Sequence, residues 1–243
     1  MSQLSLKKID VLTTAIRRPE LLEITYKSFF SRISNLPRLR IILNIDPLGN
    51  GSTSECIAIA KQYSDDVIFR TPLEPNFSSA INWCWSQLQS SYFLHLEDDW
   101  LLKREIDFEV WLQHLQSERL DQSVLLMKRP RDVADVSYSF RPHLGVSNSV
   151  KAIGLVPEEM NPEKYVSSCQ PKLASADFTT GGEYLVSDTG RKWAKAQGFR
   201  KSSSSKQWFA PRSIHWWAST EYQAYRYFWK LQILKSRILC FFQ

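Results

Sequence analysis

The chain predicts an α/β protein, a mostly parallel sheet flanked by helices and followed by an irregular C-terminal half. Three observations carry that expectation. Short β-prone runs alternate with helical patterns through the first hundred residues, and most of these runs close on polar or charged side chains. The run Tyr92 to Leu96 delivers Glu97, Asp98 and Asp99 together at its end. Beyond Asp107 the periodicity weakens, and prolines gather between residues 130 and 172. Strands alternating with helices favour parallel pairing through crossovers, and in such sheets ligands sit beyond the carboxyl ends of the strands.

Taken in order, Ile9 to Thr14 is the first β-prone run; Arg17 and Arg18 follow it. Pro19 then opens a helix, at a position where its missing N–H costs nothing, and Leu21, Leu22, Ile24, Phe29 and Phe30 form the buried side. Leu39 to Ile45 is the second run; it ends at Asp46 and Pro47, and the loop Gly49 to Ser54 leads into a helix from about Thr53 to Tyr63. Val67 to Phe69 makes a brief third strand that ends at Arg70. Pro75 and Asn76 introduce the next helix, with Asn76 as N-cap and Ile81, Cys84 and Leu88 on one face. The fourth strand, Tyr92 to Leu96, brings the acids.

Composition bounds what this site can belong to. With 243 residues, 43% hydrophobic and 23% charged, the chain is an ordinary globular one, long enough for one large domain or two small ones. No stretch reaches the roughly 18 apolar residues of a membrane span, and MSQLSLKKID has no signal-peptide core, so a cytoplasmic location is expected. Cys56, Cys84, Cys169 and Cys240 lack metal-binding spacing and read as buried free thiols. A net charge of +6 suits anionic partners: a nucleotide sugar, a phosphorylated lipid surface or nucleic acid.

Carboxylates crowded at a strand tip repel one another unless a cation neutralises them, and hard cations such as Mg²⁺ or Mn²⁺ leave positions for phosphate oxygens. The topology gathers further polar groups around the acids: Thr13, Thr14 and Arg17 after the first strand, Asp46 after the second, Arg70 after the third. Singly, each has a structural reading: strand threonines, a surface cation, a turn former beside Pro47 and a solvated acidic loop.

The segments VLTTAIRRPELLEITYKSF, LRIILNIDP, PNFSSAINWCWSQL and YFLHLEDDW together resemble the nucleotide-binding half of GT-A fold glycosyltransferases, a Rossmann-type architecture. The likeness is family-two-like and covers about residues 9 to 110. In that family a strand ends in an Asp-x-Asp or Glu-Asp-Asp signature holding Mn²⁺ or Mg²⁺ against the donor diphosphate, and Glu97, Asp98 and Asp99 match the second form, as in N-acetylglucosaminyltransferase I. The resemblance implies that Asp99 is the direct metal ligand and that Glu97 and Asp98 face ribose, sugar or metal-bound waters. It further implies that Thr13, Thr14 and Arg17 hold the nucleotide and that Asp46 meets base or ribose. Residues 1–110 would then be the nucleotide-sugar-binding half and 111–243 the acceptor-binding half of one domain.

The second half is read more coarsely. Phe108 to Leu115 has a helical pattern, packing through Val110, Trp111 and Leu115, and Ser123 to Lys128 is a further strand; residues 130 to 172 suggest long loops. Phe178 to Phe199 reads as a strand with a glycine pair, then a helix from about Asp188. It resembles the family's acceptor segment, where Gly181 and Gly182 would permit close approach to the sugar; a tight turn or bulge explains them equally. An inverting transfer needs a general base. Family members carry a late Glu-Asp pair, where this chain has Thr220, Glu221 and Tyr222, so Glu221 is the first candidate, with Asp177 and Glu183 in reserve. An acid in a helix's first turn is the structural alternative for Glu221.

Phe199 to Ser213, with its serine run and Arg200, Lys201, Lys206 and Arg212, reads as a flap over the diphosphate or as a solvated loop. His215 would complete the metal shell as a late histidine, whereas His95, alternating with Phe93, belongs within the fold. From Glu221 to Phe242 aromatic and basic residues mix in a helical pattern that suits packing on the sheet or peripheral contact with an anionic membrane.

The function expected is transfer of a sugar from a nucleotide-diphosphate donor to the hydroxyl of a glycan, a lipid-linked precursor or a modified DNA base. One rival is a nucleotidyltransferase acting on a sugar phosphate, which would carry a glycine-rich basic loop where TTAIRRPE has no glycine. The other is a basic nucleic-acid-binding protein on a degenerate version of the fold, whose binding would be strongly salt-dependent.

Overall fold

The computed structural model describes residues 6–127, 138–196, 199–201 and 209–211. The first half runs β1 (Lys8–Ile16), α1 (Pro19–Arg32), β2 (Ile33–Ser34), β3 (Arg38–Asp46), α2 (Thr53–Lys61), β4 (Val67–Arg70), α3 (Phe77–Ser86) and β5 (Tyr92–Glu97). It continues with β6 (Trp100–Leu102), β7 (Ile106–Asp107), α4 (Phe108–Ser117), β8 (Gln122–Leu125), β9 (His143–Val146), α5 (Ser147–Ile153) and α6 (Pro162–Ser168). Then come β10 (Ser175–Phe178), β11 (Val186–Asp188), α7 (Gly190–Ala196) and the antiparallel pair β12 (Phe199–Lys201) and β13 (Phe209–Pro211).

Seven strands form one sheet in the order β10-β8-β9-β5-β1-β3-β4. All neighbours are parallel except β9, which runs antiparallel to both β5 and β8. This is the mainly parallel α/β sheet with flanking helices that the alternation of runs predicts. Strands buried on both faces explain why β1, β3 and β5 read as nearly continuous apolar runs. On one face Val11, Leu43, Ile45, Leu94 and Leu96 pack with Tyr26 and Phe29 of α1, Cys56 and Ala60 of α2 and Trp111 of α4. On the other, Leu12, Ile42 and Phe93 pack with Phe77, Ile81, Cys84 and Trp85 of α3.

Local signals set the helix starts. Pro19 occupies the first turn of α1. Ser52 caps α2 by accepting from the Ser54 and Glu55 N–H groups, and Asn76 caps α3 by accepting from Ser79 N–H at 3.0 Å. Asp107 does the same for α4.

The second half departs from expectation in three places. Between 138 and 172 the chain builds β9, α5 and α6, not long loops. These elements are four to seven residues long, too short for periodicity to register. In α4, Val110 is 52% exposed while Phe108 takes the buried place beside Trp111 and Leu115. The strand expected at Ser123 to Lys128 begins at Gln122 and ends at Leu125. Among the described cysteines Cys56 and Cys84 are buried free thiols and Cys169 is half-buried; Cys240 lies outside the described residues. Among the described residues no helix is long and apolar enough to cross a membrane.

His95 lies inside the fold, stacked on His143 with ring centroids 5.0 Å apart. Burial, reinforced by His143, holds the His95 imidazole well below its usual range, so both rings are neutral; burial pushes His143 down to about 3. The β5–β9 junction beside them is tight. A Cβ on Gly145 would stand 2.4 Å from the Phe93 ring. Gly145→Ala should therefore lower the unfolding free energy by about 1–3 kcal/mol, the range for overpacking a filled core, measured by urea denaturation; an unchanged midpoint would show that the ring has room to move.

Candidate functional site

The carboxyl ends of β1, β3, β4 and β5 bring a row of polar side chains onto one face of the sheet. Register pairs Glu97 with Thr14, Thr14 with Asn44, and Asn44 with Arg70. The row closes the apolar surface formed by Leu12 and Ile42 and faces the start of α3. A narrow crevice opens there, bordered by Thr14, Asn44, Asp46, Phe77, Glu97 and Asp98. It lies between β5 and β1, where the order of the strands reverses: the chain lays β3 and β4 on one side of β1, then returns to place β5 on the other. Such a switch point holds the ligand in open α/β sheets.

Asp46 closes the β3 end of the crevice. Its Oδ1 accepts from Asn44 Nδ2 at 2.8 Å and its Oδ2 from the Asn76 N–H at 3.2 Å. Burial pushes the carboxyl up to about 6 despite those bonds and the nearby charge of Arg70. Arg70 is itself fixed by Ser79, donating to its carbonyl and its hydroxyl at 3.1 Å each.

The acidic triplet does not act as one cluster. Glu97 turns to the crevice and accepts from Trp100 Nε1 at 3.2 Å. Asp98, expected to face ribose, sugar or metal-bound waters, turns inward: Arg18 Nε donates to its Oδ2 at 2.8 Å, Arg18 Nη2 to its Oδ1 at 2.5 Å, and the Ile16 N–H to its Oδ2 at 3.0 Å. Its carboxylate is spent on holding the β1–α1 turn. The same guanidinium donates to Asp99 Oδ2 at 2.9 Å. Burial alone would lower the Arg18 pKa, but the two carboxylates beside it outweigh burial and hold it above its ordinary value.

Asp99 is set from the other side by the segment entering α7. Thr189 donates to the Asp99 carbonyl through both its N–H and its hydroxyl. Gly190 presses on the side chain so closely that a Cβ there would stand 1.9 Å from Oδ2. Trp193, one turn along, lies 5.4 Å from the Arg18 guanidinium and donates from Nε1 to Glu20 at 2.7 Å. Asp188 stands near this corner: burial first, then the charge of Asp99, raises its carboxyl, while its Oδ1 accepts from the Gly190 N–H at 2.9 Å and the Arg191 N–H at 3.3 Å and its Oδ2 pairs with exposed Arg191 at 3.3 Å. Asp99 keeps 18% of its side chain exposed.

Two residues expected at the nucleotide sit elsewhere. Thr13 faces the α1 side and accepts from the Tyr26 hydroxyl at 2.8 Å, as strand alternation requires once Thr14 faces the crevice. Arg17 donates to the Pro47 carbonyl at 2.8 Å and ties the turn after β1 to the loop after β3. The reserve bases are both ion-paired. Asp177 meets Arg141 at 2.9 Å on β10, three strands from β5, or about 14 Å across the sheet. Glu183 meets Arg104 at 2.5 Å on the surface. Gly181 and Gly182 take positive φ of 64° and 75° in an exposed turn. Glu221, His215 and the segment expected to form a C-terminal helix lie outside the described residues, as do 202–208 and 212–213 of the expected flap; β12 and β13 are its described parts.

Asn44, Asp188 and Arg18 escaped sequence reasoning. Asn44 was hidden inside an apolar run, although register with Thr14 could have exposed it. Arg18 competed with Arg17 next door, and Asp188 stood as the start of a helix.

Whether the corner suits a divalent cation turns on its donors. Among the described residues no group of three His, Cys, Asp or Glu side chains converges, so an enclosed all-protein cage is absent from them. Asp99 and Asp188, with side chains 18% and 27% exposed, are hard oxygen donors at a partly open edge, the kind that Mg²⁺-type ions accept when phosphates and water fill the remaining positions, once exposed Arg191 gives up Asp188. Mn²⁺ or Mg²⁺ fits that arrangement.

No family model and no curated protein matches the chain. Its fold is similar to solved GT-A structures. A mannosyltransferase from Pyrobaculum calidifontis, in complex with GDP-Man and Mn²⁺, superposes with a TM-score of 0.59 at 13% identity, over 78% of this chain and 60% of that one. The 1–349 portion of S. aureus TarS gives 0.56 at 11%, over 77% and 62%. TarS 1–349 in complex with UDP-GlcNAc gives 0.51 at 13%, over 73% and 62%. The chain thus spans about three-fifths of the length of these structures.

The buried triad makes a direct prediction. Arg18→Ala strands Asp98 without its counter-ion and should cost about 3–5 kcal/mol in chemical denaturation. Arg18→Met combined with Asp98→Leu should recover most of that loss; an Arg18→Ala protein of unchanged stability would mean that the guanidinium is not the partner holding Asp98.

Proposed function

We propose that the protein is a glycosyltransferase that moves a sugar from a nucleoside-diphosphate donor to an acceptor hydroxyl with the help of Mn²⁺ or Mg²⁺. The observation that carries this reading is the meeting, at the switch point of a GT-A sheet, of a polar crevice on β1 and β3 with the Asp99–Asp188 corner beyond β5. The crevice would receive the nucleoside and the corner the diphosphate. Residues 1–110 then form most of the donor-binding half and 111–243 the acceptor side, with Asp188 reaching back to complete the corner.

In the reaction an acceptor oxygen attacks the anomeric carbon, the bond from that carbon to the diphosphate oxygen breaks, and the nucleoside diphosphate departs with the electron pair. Asp99 and Asp188 would hold the cation, which neutralises charge growing on the departing diphosphate. Arg18 holds Asp99 in one orientation, and Gly190 leaves the carboxylate the space it needs. Asp46, Asn44 and Thr14 orient the nucleoside. An inverting course requires a base to take the acceptor's proton. Asp177 and Glu183 are each held by an arginine, at 2.9 and 2.5 Å, away from the crevice, so Glu221 remains the first candidate. The acceptor we infer is a hydroxyl of a glycan, a lipid-linked precursor or a modified DNA base. Peripheral membrane contact through the C-terminal segment would accompany the lipid-linked case.

The test is a panel of nucleotide sugars with Mn²⁺, scoring release of nucleoside diphosphate. Release from at least one donor is expected, falling by about a hundredfold in Asp99→Asn, as when a charge-stabilising group is removed from a transition state. Asp99→Asn keeps the shape of the side chain and an oxygen for Arg18. Undiminished release in that variant would remove the corner from the chemistry, and pyrophosphate release from a nucleoside triphosphate plus a sugar phosphate would point to nucleotidyl transfer instead.

A further inference from the structure

Two buried oxygens in the crevice have no hydrogen-bond partner: Thr14 Oγ1 and Asn44 Oδ1. Their residues are 6% and 0% exposed and lie side by side in register on β1 and β3. A buried polar atom without a partner costs about 1–3 kcal/mol, and these two belong to neighbouring residues that border a single crevice. The chemistry of Asn44 is set by its neighbour. Asp46 Oδ1 takes a hydrogen bond from the amide at 2.8 Å; an ionised carboxylate only accepts, so it must face the NH₂ group. The oxygen of the amide therefore points into the crevice as an acceptor, and rotating the amide would set two oxygens against each other.

Position along the row supplies the rest. Asn44 stands on β3, two strands from the β5 end that carries the acidic corner, or about 10 Å across the sheet. A diphosphate at the corner would put the ribose above β1 and the base above β3. We propose that Asn44 is a specificity-determining residue whose Oδ1 accepts an N–H from the donor's nucleobase, while the Thr14 hydroxyl bonds the nucleoside on its phosphate side. Asn44 Nδ2, Asp46 and the Asn76 N–H behind it make a fixed chain that holds the acceptor in place. This inference rests on the transferase reading above and adds to it the contact that discriminates between bases.

The experiment is titration calorimetry of wild type, Thr14→Val and Asn44→Leu against ADP, CDP, GDP, UDP, dTDP and inorganic pyrophosphate, each with Mn²⁺, together with melting temperatures. Wild type should bind one nucleoside diphosphate at least about tenfold more tightly than the others. Asn44→Leu should lose about tenfold for that ligand, the worth of one hydrogen bond, and with it the preference among bases, while pyrophosphate binding stays within about twofold. Thr14→Val replaces an unpartnered hydroxyl by a methyl group of the same shape; it should melt no lower than wild type and yet bind the favoured diphosphate about tenfold more weakly. Equal losses for pyrophosphate and nucleotide, an unaltered base preference in Asn44→Leu, or a lower melting temperature in Thr14→Val would overturn the inference and leave the transferase reading standing. Failure of wild type to bind any of the five would overturn both.

Discussion

One guanidinium organises the candidate site. Arg18 bridges Asp98 and Asp99, and through them joins the turn after β1 to the turn after β5. Taking three charges out of water is expensive, and such a group is tolerated only when nearly every donor and acceptor is answered. Here Asp98 is answered by two arginine nitrogens and the Ile16 amide, and Trp193 covers the guanidinium from the α7 side. The consequence is a division of labour within the acidic triplet. Asp98 is structural, Glu97 looks into the crevice, and Asp99 is left at the boundary with one oxygen on Arg18 and the charge of Asp188 nearby.

That arrangement has a functional logic under the transferase reading. An arginine beside Asp99 offsets part of the repulsion between Asp99 and Asp188 while no cation is bound, and it does so without titrating at any accessible pH. A corner built from two carboxylates, not an enclosed cage, would take up its ion together with a diphosphate. Because Thr189 and Gly190, at the entry to α7, support Asp99, and α7 reaches α1 through Trp193 and Glu20, the second half of the chain both shapes the corner and brings Asp188 to it.

Much of the fold was legible because its signals are local. Pro19, Ser52 and Asn76 mark helix starts by capping chemistry, and β1, β3 and β5 announce burial on both faces by unbroken apolar runs. The short elements β9, α5 and α6 were not legible, since four to seven residues carry too little pattern and their order comes from packing against β5 and α3. At the site, the carboxyl-end rule placed Thr14, Asp46, Arg70 and Glu97 at the ends of neighbouring strands, as the register has them. It could not say which of two adjacent residues faces the crevice. Thr13 and Thr14 point to opposite sides of the sheet, and of Arg17 and Arg18 only the second reaches the acids. Those outcomes depend on register and on a turn, and a single residue's shift would exchange them.

The most direct measurement is anomalous diffraction from crystals of the protein grown with Mn²⁺ and the nucleoside diphosphate it binds best. A manganese peak within coordination distance of an Asp99 carboxylate oxygen, bridged to the diphosphate, with the base over Asn44, is the predicted result. Manganese bound away from Asp99, or a nucleotide seated outside the crevice between β1 and β5, would contradict the assignment of this corner as the seat of the chemistry.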